Sequence, residues 1–430
     1  MDMSVKIAIS MSLIVVLFVQ IGSIQSQEPD QIWRRCGESG DWFGSRIANL
    51  GDINQDGIND FAANRITNHN RLEIFLGGNP PADTPSMIFS TPSPDSAYLR
   101  IIDNVGDVNG DSWDDVAILC MFGSCDQYAG SKLHIYHSGA KFDTIPDITL
   151  SGYTIGRFGY NLAGIGDVNN DGYDDIAVYT ARGLESESKI NVFFGGDPMD
   201  QTPDWELNTL ENVFNLGRTI VGNMDLNNDG IGDFALYGCH KQDDGELYST
   251  YFVFWGGSQL DSLPGLVIEA DSPTTNFSAL EGDFNGDSYS DLVAFADING
   301  GLLVYFGSKI MDTQSDLVLE RPTTNAVDRT IWVKAVGDVN KDGCDDIIAG
   351  FQGRMDYMGQ ILVYLGGHNM DGIPDLQWKN FMRIGKDLTF CADITGDGID
   401  DIVFGDGQKK GCVGIWAGSE SITDKRGHKK

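Results

Sequence analysis

The stretch GDVNNDGYDDIAVY, residues 166–179, decides the fold. It crowds Asp167, Asp171, Asp174 and Asp175 around Asn169 and Asn170, then turns abruptly apolar. Carboxylates this close repel one another, so something must offset them. The phrase also recurs. The pattern D-x-[N/T]-x-D-x-x-x-D starts at Asp52, Asp107, Asp167, Asp225, Asp283, Asp338 and Asp393, at intervals of 55, 60, 58, 58, 55 and 55 residues. Near-constant spacing marks a repeat architecture in which each repeat is one supersecondary unit.

Each period carries further short runs rich in β-branched and aromatic residues. RLEIFLGG, KLHIYHSG, KINVFFGG, TYFVFWGG, GLLVYFGS, QILVYLGG and GCVGIWAG each end in small turn residues, the signature of a strand entering a turn. An apolar run follows every acidic loop (FAAN, VAIL, IAVY), another precedes it (RIANL, IWVKAV), and a fourth follows the glycine pair (IPDITL, TPDWEL, IPDLQW). Four strands per repeat predict an all-β chain folded as a seven-bladed β-propeller of four-stranded antiparallel blades. An open stack of the same sheets would leave two bare edges prone to aggregate.

The chain ends argue for closure. The last repeat stops after GCVGIWAG, while EPDQIWRR (28–35) resembles the fourth-strand phrase IPDLQWKN (373–380). The N-terminal strand is therefore expected to complete the seventh blade. Counting from the shared Pro-Asp places Cys36 on that strand and Cys412 on its neighbour, so a Cys36–Cys412 disulfide is expected. The other cysteines (Cys120, Cys125, Cys239, Cys344 and Cys391) lack metal-ligand spacing.

Composition narrows the function classes. With 63 acidic against 29 basic residues the net charge is −34, which excludes nucleic acid as a natural partner. A 41% hydrophobic content supplies a core, and 53 glycines point to many turns. Lys6, the apolar run 7–18 and the small Ser26 form a secretory signal peptide over residues 1–26. The expectation is export, extracellular or periplasmic, of a propeller over 27–418 with a charged tail over 419–430. No second apolar stretch is long enough to span a bilayer.

The oxygen-bearing side chains fall at loop positions 1, 3, 5 and 9, and hard cations such as calcium take six to eight oxygens. The backbone carbonyl at position 7 is expected to add one more. In the loop from Asp167 the set is Asp167, Asn169, Asp171, Asp175 and the Tyr173 carbonyl. The corresponding sets are Asp52, Asn54, Asp56, Ile58 and Asp60; Asp107, Asn109, Asp111, Trp113 and Asp115; and Asp225, Asn227, Asp229, Ile231 and Asp233. The last three are Asp283, Asn285, Asp287, Tyr289 and Asp291; Asp338, Asn340, Asp342, Cys344 and Asp346; and Asp393, Thr395, Asp397, Ile399 and Asp401. Up to seven Ca2+ ions are expected, which would bring the charge from −34 to −20. The absence of histidine and cysteine side chains from this donor set argues against zinc or copper. An EF-hand needs Glu at position 12, whereas Ala63, Ile118, Val178, Leu236, Ala294, Ala349 and Phe404 stand there. Ser112, Ser288 and Thr395 depart from the common pattern, and their three loops are expected to bind most weakly.

These residues resemble the FG-GAP (VCBS-type) repeat family, best known from the seven-bladed propeller of integrin α subunits. The opening motif stands in FGSRIANLGDINQDGINDFAA (43–63) and FGYNLAGIGDVNNDGYDDIAV (158–178), and weakens to Leu216-Gly217 in the fourth repeat. Integrins carry such loops in only some blades and continue into stalk domains and a membrane span, which this sequence does not. The resemblance implies a calcium-loop propeller with an adhesive or ligand-binding role, not an integrin. A protein or glycan ligand is expected on the face opposite the acidic loops, where the turns 120–132, 181–189 and 238–250 vary. The alternatives are a calcium-dependent polysaccharide lyase or hydrolase, or a purely structural surface protein. No G-x-S-x-G or H-E-x-x-H motif is present. His134 and His137, three apart on a predicted strand, should face opposite sides, so no catalytic residues are assigned.

Overall fold

The computed structural model describes residues 31–66, 70–90, 97–122, 131–139, 142–151, 157–182, 187–270, 279–296, 301–320, 331–351, 358–382, 389–405 and 410–423. The expected signal peptide, residues 1–26, and the end of the expected charged tail lie outside these residues, as does Cys125.

Seven antiparallel sheets follow one another along the chain, at 47–90, 97–151, 157–208, 213–269, 279–319, 331–382 and 389–416. Each is a blade, and in all but the fourth and seventh the strands run first to fourth in sequence order. The first strands of successive blades touch in a closed ring, so they are innermost. No helix occurs among the described residues, and none is long and apolar enough to cross a membrane.

The second strands read as continuous apolar runs because both faces of each blade are buried. Alternate side chains serve opposite neighbours. Phe234 and Leu236 enter the core shared with the third blade, while Ala235 and Tyr237 enter the core shared with the fifth. Among the described residues seven such apolar clusters exist, one at each blade interface. The core is thus a ring of side-to-side contacts.

Closure occurs as the sequence predicts. Strand Gln31–Cys36 is the fourth strand of the seventh blade, paired with Cys412–Trp416 in the sheet completed by Asp401–Gly405 and Thr389–Ala392. Cys36 lies opposite Cys412, and the two form a disulfide. The N-terminal strand also grips the first blade. Trp33 Nε1 donates to Asp83 Oδ1 at 3.0 Å, and Arg35 lies over the Phe75 ring at 5.1 Å. Beside it, Arg65 is paired with Asp41 and Glu73.

The fourth blade departs from four strands. Val213–Phe214 adds a short fifth strand against Cys239 and His240, separated from the first strand proper, Ile220–Met224. Here the opening motif has weakened to Leu216-Gly217, and Asn215 takes a left-handed backbone (φ 56°), so the segment breaks into two pairing pieces. His137 falls one residue beyond strand Lys132–Tyr136, so the two histidines do not share that strand.

Candidate metal centres

All seven acidic loops connect first and second strands and therefore crowd one rim of the ring. Their internal bonding is the same. In the loop from Asp167, the amides of Asp171 and Gly172 donate to Asp167 Oδ1 and Oδ2 at 3.0 and 2.8 Å. The Tyr173 amide donates to Asp171 Oδ1 at 3.1 Å. Every other loop repeats these three bonds. The aspartates at positions 1 and 5 thus fold the loop as well as offering oxygens.

Two backbone positions need a left-handed conformation. Position 6 has φ between 71° and 92° in every loop, including Ser112 (72°) and Ser288 (71°). Position 4 shares it: Gln55, Gly110, Asn170, Asn228, Gly286, Lys341 and Gly396 all have positive φ. L-residues adopt this region at a cost that glycine escapes. The serine loops carry glycine at position 4, so every loop places glycine in at least one of the two positions. Position 4 escapes a reading based on ligand spacing.

Position 9 does a second job. Asp60, Asp115, Asp175, Asp233, Asp291, Asp346 and Asp401 are all fully buried. In each, Oδ1 accepts an amide from the end of the third strand, as Gly195 N–H to Asp175 at 2.9 Å. In six, Oδ2 accepts the amide of position 2, as Val168 N–H at 3.0 Å. Burial raises these carboxyls from their ordinary range, Asp175 and Asp115 to about 8, Asp60 to about 7, and the aspartates at positions 1 and 5 raise them further. Backbone amides oppose the shift. A cation would relieve both causes.

The donors fit a hard cation. Two oxygens at predicted ligand positions, Asp115 Oδ2 and Asn169 Oδ1, are buried without a hydrogen-bond partner. Leaving such an atom unsatisfied costs about 1–3 kcal/mol. Among the described residues no three His, Cys, Asp or Glu side chains stand together as a ready-made metal cluster. The loops draw instead on amide, hydroxyl and main-chain oxygens beside their carboxylates.

The acidic loops also join blades. The position-2 carbonyl of each blade accepts an amide from the end of the next blade's third strand, as Val108 from Gly196 at 2.8 Å, and Ile394 from Gly78 at 2.7 Å closes the circuit. Six of the position-8 amides donate to the position-1 carbonyl of the preceding blade, as Asp174 to Asp107 at 3.0 Å.

At the centre, the first strands of blades one, two, four and seven surround a cavity of about 400 Å³, lined in part by Asn49, Asp103, Asn104, Asp114, Asp174 and Asn223. Away from the acidic loops, His134 Nδ1, at the middle of strand Lys132–Tyr136, meets Thr149 Oγ1 at 2.9 Å and His240 Nδ1 meets Glu269 Oε2 at 2.9 Å. The first is a cross-strand pair, and the second reaches over the intervening third strand. Parts of the variable turns (123–130 and 183–186) lie outside the described residues.

No protein-family model matches the chain. It is 28% identical over 210 residues (44% of the chain) to integrin alpha-5 of Xenopus laevis and covers 19% of that protein. It is 30% identical over 135 residues (31% of the chain) to integrin alpha-6 of Homo sapiens, covering 12% of it. With integrin alpha-PS2 of Drosophila melanogaster the match is 29% over 230 residues, 47% of the chain and 15% of the relative. The chain therefore spans less than a fifth of the length of these relatives. It is similar to integrin α chains and folds as a seven-bladed propeller, in agreement with the resemblance carried by the repeat.

Proposed function

We infer that this chain is an exported, calcium-binding propeller that acts as a non-enzymatic binding or adhesion module for a protein or glycan. The observation that carries the calcium reading is the buried, partnerless Asp115 Oδ2, with Asn169 Oδ1, at ligand positions of a loop repeated seven times. The first, third, fifth and ninth side chains and the seventh carbonyl would hold each ion. Calcium, when bound, supplies positive charge that offsets the clustered carboxylates and so favours the folded blades. The Cys36–Cys412 disulfide supports an oxidising compartment and hence export. Similarity to integrin α chains supports the binding role.

Native mass spectrometry of the secreted protein should find up to seven calcium ions retained, and chelator should lower its melting temperature. A screen against glycans and surface proteins, with calcium and with chelator, should return a calcium-dependent ligand. Retention of no ions, with a melting temperature indifferent to chelator, would reject the calcium reading. Turnover of a polysaccharide in place of stable binding would reject the non-enzymatic one.

A further inference from the structure

We propose that Asp174, in the third blade, is a positioning residue for the cation site of the second, fixing that site's first ligand across the blade interface. The proposal rests on the calcium reading above. Asp107 opens the second blade's loop, and the third blade holds it at both main-chain groups. Its N–H donates to Asp174 Oδ2 at 2.8 Å, and its carbonyl accepts the Asp174 N–H at 3.0 Å. Its own carboxylate accepts the amides of Asp111 and Ser112 at 3.0 and 2.7 Å. Any shift of the third blade therefore moves the residue that aims this ligand. The same loop contains the fully buried Asp115, whose Oδ2 has no partner.

The residue before Asp107 shows why the contact fits. A Cβ on Gly106 would stand 2.1 Å from Asp174 Oδ2, so the carboxylate occupies space that only glycine leaves open. The device recurs at two of the other interfaces that pair a glycine with an aspartate. Asp345 Oδ2 accepts the Asp283 amide at 2.9 Å beside Gly282, and Asp400 Oδ2 accepts the Asp338 amide at 3.0 Å beside Gly337. Where the preceding residue bears a side chain, the partner is not an aspartate. Met224 goes with Ser290, whose Oγ takes the Asp225 amide at 2.9 Å, and Ala392 goes with Asn59, whose main-chain amide meets the Asp393 carbonyl at 3.1 Å. Three interfaces thus lack the side-chain bond: Asn59 meets its neighbour through the main chain alone, Gly232 has no side chain to offer, and Asp114 accepts from Asn104 Nδ2 at 2.9 Å instead. Ligand chemistry alone gives no reason for this pairing of sizes, whereas blade packing does.

Trp113 occupies position 7 of the second loop, so terbium(III) bound there can be read by tryptophan-sensitised emission, with Trp113→Phe as the background and calcium as the competitor. Losing an outer-shell partner typically costs 10-fold to 100-fold in metal affinity. Asp174→Ala should accordingly weaken this site about tenfold or more, while Asp174→Asn, which keeps an acceptor oxygen, stays within about threefold of wild type. Hydrogen exchange of the metal-free protein should show the Asp107 amide losing protection in the alanine variant and keeping it in the asparagine variant. Native mass spectrometry should lose one calcium ion, not the third blade's as well.

Unchanged affinity in Asp174→Ala would overturn the proposal, as would an equal loss in Asp174→Asn, which would assign the effect to charge. If wild type gives no Trp113-dependent terbium signal, the calcium reading fails and takes the ligand-positioning role with it. Exchange at the Asp107 amide would then still report the blade contact separately.

Discussion

Cys36 and Cys412, 376 residues apart in sequence, are joined across the two strands that close the ring. They sit at the end of the seventh blade away from its acidic loop, because Gln31 and Trp416 mark the other end of the same pairing. Removing a native disulfide typically costs about 2–5 kcal/mol. Cys412→Ser should lose stability in that range by chemical denaturation, and reductant should destabilise wild type but not the double serine variant. Seven titratable thiols in unreduced, denatured protein would contradict the bond.

Positions 5 and 9 of a loop should respond differently to alanine. Asp175 is buried and holds the amides of Val168 and Gly195. Asp175→Ala leaves both unsatisfied and should cost about 2–5 kcal/mol even in chelator. Asp171 is exposed, so Asp171→Ala should change stability in chelator by less than about 1 kcal/mol while weakening calcium binding. Equal losses in chelator would mean that position 5 is as structural as position 9.

Left-handed serines mark loops open to improvement. Ser112 and Ser288 have φ near 72° and 71°, where glycine is more comfortable. Ser112→Gly and Ser288→Gly should each stabilise by about 0.5–1 kcal/mol, after allowing for the greater freedom of glycine in the unfolded chain. Gly172→Ser, at φ 92°, should do the reverse. Thermal melts in chelator and in calcium would show the effect, and a destabilised Ser112→Gly would refute it.

The central cavity gives a pH dependence. Burial raises the Asp103 carboxyl from 3.8 to about 7, against the backbone amides of Asn104 and Gly164. Glu281 couples to it through space, and Asp114 and Asp174 line the same cavity. The folded protein holds this proton more tightly than the unfolded chain does, so stability falls as pH rises from about 4 through about 7. Asp103→Asn removes the contribution of this one group to that slope. It should melt higher than wild type at pH 8 and close to it at pH 4; equal melting temperatures at pH 8 would count against a buried carboxylate here.

Much of this was legible in the sequence. The blade number, strand order, closing strand and Cys36–Cys412 pair all followed from period and phrase, because a repeat multiplies weak local signals. What stayed hidden depends on neighbours in space. The glycine before Asp107 has no local meaning until Asp174, 67 residues later, is seen against it. The split strand at Val213–Phe214 arises where the opening motif decays, and its partners, His240 and Cys239, cannot be read from spacing. The dual role of position 9 was half visible: the pattern singled out the aspartate, but not the third-strand amide it accepts.

The pairing of Gln31 with Trp416 brings both ends of the seventh blade's outer strands to the rim that bears the acidic loops. Any anchor or companion module fused to either end would attach from that side. The far ends of that blade's third and fourth strands, where Cys412 and Cys36 are joined, would then face away from the attachment.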